Sequence, residues 1–209
     1  MTIVEEKPDK AEEFIEFFLQ KLPYRETLDL FLVILEKRPA CLIMDPDEGE
    51  REKLAEFCRE FDLEFREKSS KNESLLSSSG FFIAHDKSRF QKLQNSEGRF
   101  YGFSDRDVGD FLGFPEDDVE FFAEKVHEGP LEAKTREITE KMVEENLISQ
   151  EDSKYVNLVT YVPKPSEENI LEAVELGKRF EEKILEFDAK FDSSIGKRVL
   201  EEFYGKVLD

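Results

Sequence analysis

Ala40-Cys41-Leu42-Ile43-Met44-Asp45-Pro46-Asp47-Glu48-Gly49 sets five consecutive apolar residues directly before a turn of acid, proline and glycine. A short apolar run of this kind reads as a buried strand that leads into a turn and a helix start. The helix behind it carries Leu54, Ala55, Cys58 and Phe61. Phe61-Asp62-Leu63-Glu64-Phe65 then alternates as a half-buried strand does, so the helix and strand readings share Phe61. Ser69 to Ser79 reads as a Ser-rich loop, and Gly80-Phe81-Phe82-Ile83-Ala84-His85 as a further buried strand, followed by a short amphipathic helix with Phe90 and Leu93. The order strand, helix, strand, loop, strand, helix predicts an α/β fold built on a small sheet flanked by helices.

Upstream, Asp9 can cap a helix whose apolar stripe is Ala11, Phe14, Ile15, Phe18 and Leu22, ended by Pro23. Thr27 to Leu35 is apolar nearly all round and fits a short helix buried on most sides. Downstream of Gly129-Pro130 the pattern turns mainly helical, which divides the chain into an α/β domain at 1–128 and a C-terminal part at 129–209, packed on the first or separate from it. That part opens with a helix from about Leu131 to Leu147, and Tyr155 to Val162 is β-rich before the stiff Pro163-Lys164-Pro165 connector. Ser166 fits the N-cap of a long helix with the stripe Ile170, Ala173, Val174, Gly177, Phe180, Ile184 and Phe187. Gly177, a weak helix former in mid-stripe, predicts a close crossing there. A last helix carries Ile195, Val199, Phe203 and Val207 on one face.

Residues 104–125 have the spacing of a helix-turn-helix. Gly109 falls where two helices must approach, Gly113 at a left-handed turn, and Val108, Leu112, Phe114, Val119 and Phe122 supply the facing apolar surfaces. The start of the second helix offers Pro115, Glu116, Asp117, Asp118 and Glu120 as an exposed face, where a DNA reader needs Arg, Lys, Asn or Gln. Carboxylates there are repelled by phosphates. Arg106, Asp107, Glu116, Asp117 and Glu120 are instead candidates for a protein-docking surface.

The same stretch, "DVGDFLGFPEDDVEFF" from Asp107 to Phe122, resembles the phenylalanine-leucine-glycine-tyrosine-proline motif and following helix of a family of uncharacterised prokaryotic proteins, DUF3793. "KRPACLIM" at Lys37 to Met44 is similar to that family's lysine-proline segment and strand. The resemblance spans roughly Arg38 to Lys125 and implies no known activity. Arg106-Asp107 stands where the family usually has histidine-glutamate, so any role of that histidine is absent or altered here.

The chain of 209 residues carries a formal net charge of −20, with 38% charged and 39% hydrophobic residues, among them 20 Phe. That apolar content is enough for a core, and the acidic field disfavours nucleic acid and anionic membranes as partners. It also suits a high-salt cytoplasm. The N-terminus has neither the basic nor the apolar region of a secretory signal, and no apolar run approaches a bilayer's span, which points to the cytoplasm. Cys41 and Cys58 lack metal-ligand or redox spacing and read as buried free thiols. No cofactor or resident metal is assigned from the sequence, and the absence of glycine-rich phosphate loops from both strand ends disfavours nucleotide enzymes of those types.

The ends of the two buried strands supply the candidate catalytic residues, Asp45 and Asp47 after the first and His85 and Asp86 after the other. In parallel neighbours these four would converge, with His85 as general base and the carboxylates as ligands for a hard cation. Otherwise Asp47 and Asp86 are helix N-caps and His85 is a lone surface histidine. His127, before Glu128-Gly129-Pro130, reads as a cation at a helix C-terminus. Three functional readings follow: a non-catalytic cytoplasmic protein-binding or scaffold protein, a small-molecule or metal-dependent enzyme at the sheet edge, and a helix-turn-helix DNA-binding protein. The first fits the missing catalytic signatures. Because screening shortens the Debye length to about 3 Å in 1 M salt and relieves self-repulsion, the melting temperature should rise with added salt. A flat or falling melting curve series would remove the case for a high-salt setting.

Overall fold

The computed structural model describes residues 3–69, 79–93, 101–125 and 131–207. His127 and most of the Ser-rich stretch lie outside them. The elements are α1 (Ile3–Glu6), α2 (Pro8–Lys21), α3 (Tyr24–Ile34), β1 (Ala40–Met44), α4 (Glu48–Glu60), β2 (Glu64–Ser69), β3 (Ser79–Ala84), α5 (Asp105–Leu112), α6 (Glu116–Lys125), α7 (Leu131–Glu144), α8 (Tyr155–Leu158), α9 (Glu167–Phe191) and α10 (Ile195–Val207). Short 3-10 turns cover Lys87–Gln91 and Asp152–Lys154. It is the α/β arrangement of a small sheet flanked by helices, with a helix-turn-helix-like pair and a helical C-terminal part. No described helix is long and apolar enough to cross a membrane.

The sheet has the order β1-β3-β2 and is antiparallel throughout, pairing Ala40 with Ala84 and Met44 with Gly80. β3 is buried along its whole length because both faces are covered. Cys41, Ile43, Phe81 and Ile83 face a large core with α2, α3, α4, α9 and α10, whereas Ala40, Phe82 and Ala84 face a smaller one with Phe90, Tyr101, Phe103, Val108 and Phe111. The edge strand β2 is guarded by charge. Its Arg66 and Lys68 lie over the Phe90 and Phe103 rings, at 4.5 and 5.5 Å, so that their charges stay wet while their stems cover the second core.

Three local readings need correction. α2 starts from Lys7 rather than Asp9, because Pro8 takes the first helical position, where its missing N–H costs nothing; Asp9 sits in the first turn. Phe61 belongs to the end of α4, its ring 5.0 Å from Phe57 and 6.0 Å from Phe14, and Asp62 at φ 51° turns the chain before β2 begins. Tyr155 to Val162 forms α8 and an irregular stretch, not a strand. Val156, Leu158 and Val159 are buried around the exposed Asn157, and the adjacent pair Leu158 and Val159 breaks a strand's alternation.

Gly177 does mark a close crossing, since a Cβ there would stand 2.4 Å from the Tyr155 carbonyl oxygen of α8. The inward stripe of α9 is buried from Ile170 to Phe187, and its Ser166 hydroxyl caps the Asn169 N–H at 3.3 Å. Asp188 near its end accepts from the Gly196 and Lys197 N–H groups, both at 2.8 Å, and so caps α10. Phe187 meets Phe31 of α3 at 5.4 Å and Phe203 of α10 meets Tyr24 at 5.5 Å, which brings the C-terminal helices onto the first core.

In the helix pair, a Cβ on Gly109 would stand 2.7 Å from Val119, and Gly113 takes φ 78° with its N–H on the Gly109 carbonyl at 3.0 Å. The turn is wedged from two sides. Arg89 donates to the Phe111 and Asp110 carbonyls at 2.8 and 2.6 Å, and a Cβ on Gly113 would meet Pro39 at 2.4 Å. Gly113→Val therefore combines a left-handed backbone penalty with a backbone-anchored clash and should cost more than about 2 kcal/mol, while exposed Glu116→Lys should stay within about 0.5 kcal/mol. Denaturant unfolding of the two variants checks this; equal stabilities would mean the turn is not as described.

Candidate functional site

Arg38 follows α3 and is 5% exposed, an unusual depth for a guanidinium. Its Nε lies 3.0 Å from Asp29 Oδ1, a charge contact, since that Nε makes no hydrogen bond. One terminal nitrogen donates to the Val159 carbonyl and to Thr160 Oγ1 at 2.6 Å, and Thr160 Oγ1 donates on to Asp29 Oδ1 at 2.7 Å. The rings of Phe114 and Phe180 lie over the guanidinium at 5.3 and 5.4 Å. Burial pushes the Asp29 carboxyl upward, opposed by Arg38 and by the Thr160 hydroxyl. A β-branched residue at φ 60° is an outlier, and Thr160 is held there by these two partners.

Thr160 and Tyr161 stand in the wall of a cleft of about 800 Å³. Its lining takes Thr135, Arg136 and Thr139 from α7, Val156 and Asn157 from α8, and Tyr24 and Arg25 from α3. The hydroxyls are committed within the protein. Thr135 donates to the Pro163 carbonyl at 2.9 Å, and Thr139 to the Thr135 carbonyl at 2.8 Å. The Thr160 oxygen gives its proton to Asp29 while accepting from Arg38, which makes it a clamp rather than a poised nucleophile. Exposed Arg136 and Lys206 share the rim with Glu132, Glu140 and Glu144, so the opening is charged with both signs.

Asp118 fastens the helix pair beside this cleft. It is 4% exposed, and its Oδ1 accepts from the Lys164 N–H at 2.7 Å and from Asn169 Nδ2 at 3.1 Å. Burial raises its carboxyl, against these bonds and one from the Tyr161 hydroxyl. The expectation that Asp118 lies on the exposed acidic face is thus corrected: it points inward to the Pro163–Pro165 connector. Glu116, Asp117 and Glu120 are exposed, Arg106 pairs with Glu120 at 3.4 Å across the two helices, and Asp107 completes a capping box with Ser104.

The sheet-edge residues are not brought together. Convergence needed parallel strands; with β1 and β3 antiparallel, Asp45 and Asp47 lie at one end of the pair and His85 and Asp86 at the other, with Asp45 and His85 roughly 20 Å apart along the strands. Asp45 closes its end, accepting from the Ser79 N–H at 2.6 Å while its own N–H meets the Ser79 carbonyl at 2.7 Å. Asp47 caps α4 in a full capping box with Glu50. Asp86 caps the 3-10 turn through the Ser88 N–H at 2.7 Å, which lowers its carboxyl. His85 is no lone surface histidine, because its Nε2 stands 2.5 Å from the Val33 carbonyl at the end of α3. Among the described residues no cluster of three His, Cys, Asp or Glu could hold a metal ion. Cys41 and Cys58 are buried and free, and burial raises both thiols.

Arg38, Thr160 and Tyr161 do not stand out in the sequence. The available signal is Asp29, a lone carboxylate inside the apolar run Leu28 to Leu35, where a buried charge demands a cation. No family model, curated protein or solved structure matches the chain. The likeness of Phe111 to Pro115 to DUF3793 accordingly rests on the residues quoted for it alone. Removing one member of the buried pair strands the other, so Arg38→Met should cost about 3–5 kcal/mol, and adding Asp29→Leu should recover part of that loss. Denaturant unfolding of the single and double variants measures it; a double variant no more stable than Arg38→Met, with a loss equal to or above the sum of the single losses, would contradict the pairing.

Proposed function

We propose that the chain is a non-catalytic protein-binding module of the cytoplasm, and that a partner segment seats in the cleft between α7, α8 and the start of α3. One observation carries the reading: the cleft's wall is a backbone outlier, Thr160, fixed from behind by a buried ion pair. Strained backbone that the surroundings hold in place is concentrated at ligand clamps and recognition sites. A second concavity among the described residues, about 940 Å³ between α2 and α4, is lined by Lys21, Glu52, Lys53 and Arg59 on helix surfaces, with no positive-φ residue in its lining. The mixed charges at the cleft's rim suit a peptide segment bearing both signs. The first turn of α6 is tied to the cleft wall by the hydrogen bond between Asp118 and the Tyr161 hydroxyl.

The enzyme reading loses its geometry with the antiparallel sheet. DNA binding finds no cationic recognition face, since the exposed residues at the start of α6 are Glu116, Asp117 and Glu120. A gel shift of duplex DNA at about 0.1 M salt should show no retardation; salt-sensitive micromolar binding would reinstate that reading. For the partner, a photo-crosslinking residue placed at the exposed Asn157 in the cleft lining should give a discrete protein adduct in cells that express the chain. The same residue at Glu52 on α4 should give none. Adducts from both positions alike, or none from Asn157, would overturn the proposal.

A further inference from the structure

We propose that Glu26 is a proton-dependent latch between α3 and the free edge of β1, closed while its carboxyl carries a proton and slackened when the proton leaves. Glu26 lies in the first turn of α3 and is 7% exposed. Its Oε1 accepts the Met44 N–H at 3.2 Å. β1 is an edge strand whose outer side meets α3 instead of another strand, so this bond satisfies a donor that the sheet cannot. The other oxygen, Oε2, is buried and has no hydrogen-bond partner.

The charged groups around Glu26 are acidic on each side. Asp29 follows it on α3, Asp45 stands just beyond β1, and Glu50 lies in the first turn of α4; all three disfavour its ionised form. Burial raises the Tyr101 phenol, to about 12, and the Cys41 thiol on β1, with the Glu26 charge a smaller contributor to each. The cations at this corner are committed elsewhere. Arg51 serves the Pro46 carbonyl, the Ser79 hydroxyl and Glu67, and Arg38 serves Asp29 and Thr160. A carboxylate in that setting has a buried oxygen without a donor and like charges for neighbours; burial is the largest effect and pushes the carboxyl up to about 7, outweighing the Met44 N–H bond, which by itself favours the ionised form.

The folded chain therefore holds this proton more tightly than the unfolded one. Stability from Glu26 is fully present below about pH 4.5, the carboxyl's ordinary value, and falls as the pH rises through about 7, with no further loss above it. Most of the loss is taken between these two values, and neutral pH lies at its upper end, where the folded carboxyl is about half protonated.

Glu26→Gln keeps the acceptor for Met44 and cannot ionise. The melting temperatures of the two full-length proteins should nearly coincide at about pH 4.5, and the Gln variant should melt at least about 4 °C higher at about pH 8. Carbon-detected NMR of the parent should show the Glu26 carboxyl titrating near neutrality, with protection of the Met44 amide falling over the same range. A melting difference that does not change with pH, or a Glu26 carboxyl that titrates at its ordinary value, would overturn the latch; the titration stands even where the variant fails to fold.

Discussion

The guanidinium of Arg38 is the contact on which the remaining architecture hangs. Taking such a charge out of water costs several kcal/mol unless its donors and its charge are matched, and here the match is drawn from far-separated segments. Asp29 comes from α3, the Val159 carbonyl and Thr160 from the stretch after α8, Phe114 from the turn between α5 and α6, and Phe180 from α9. The residue after it, Pro39, leads into β1 and packs against Gly113. One side chain and its neighbour thus set where the strand begins, where the helix pair docks, and how the cleft wall is bent.

Around that point the acidic character of the chain divides into two populations. Most of the carboxylates lie outside and give the net charge of −20, where paired or not they contribute little to stability. Asp29, Asp118 and Asp188 are mostly or fully withdrawn from water and each ties distant backbone or side-chain donors together, Asp118 joining α6 to the connector and Asp188 joining α9 to α10. Glu26 belongs to neither population, since one of its oxygens is buried without a donor.

Elements whose signal is local could be read in the sequence. The apolar runs at Ala40 to Met44 and Gly80 to Ala84, the all-round apolar α3, the Ser166 cap, the stripe of α9 and the left-handed Gly113 all follow from period, cap chemistry and backbone sterics. Pairings between distant segments could not. Nothing local to Asp45 or His85 says whether their strands run parallel or antiparallel, and that choice alone separates the four sheet-edge side chains. Asp118 looks like Asp117 in sequence, yet helical rotation turns one inward and the other out. The valines of Tyr155 to Val162 suggested a strand by propensity, and packing against Gly177 made the segment helical instead.

The cleft inherits its shape from this same center, because Thr160 is at once its wall and a partner of Arg38. If the buried guanidinium is what joins the helix pair and the 155–165 stretch to the first core, loosening it must be felt in both at once. Hydrogen–deuterium exchange on the parent and Arg38→Met, under conditions where both stay folded, resolves this segment by segment. Protection should fall together in α5, α6 and the stretch from Tyr155 to Pro165, with β3 little changed; a loss confined to residues next to position 38 would show that these parts are held together by something else.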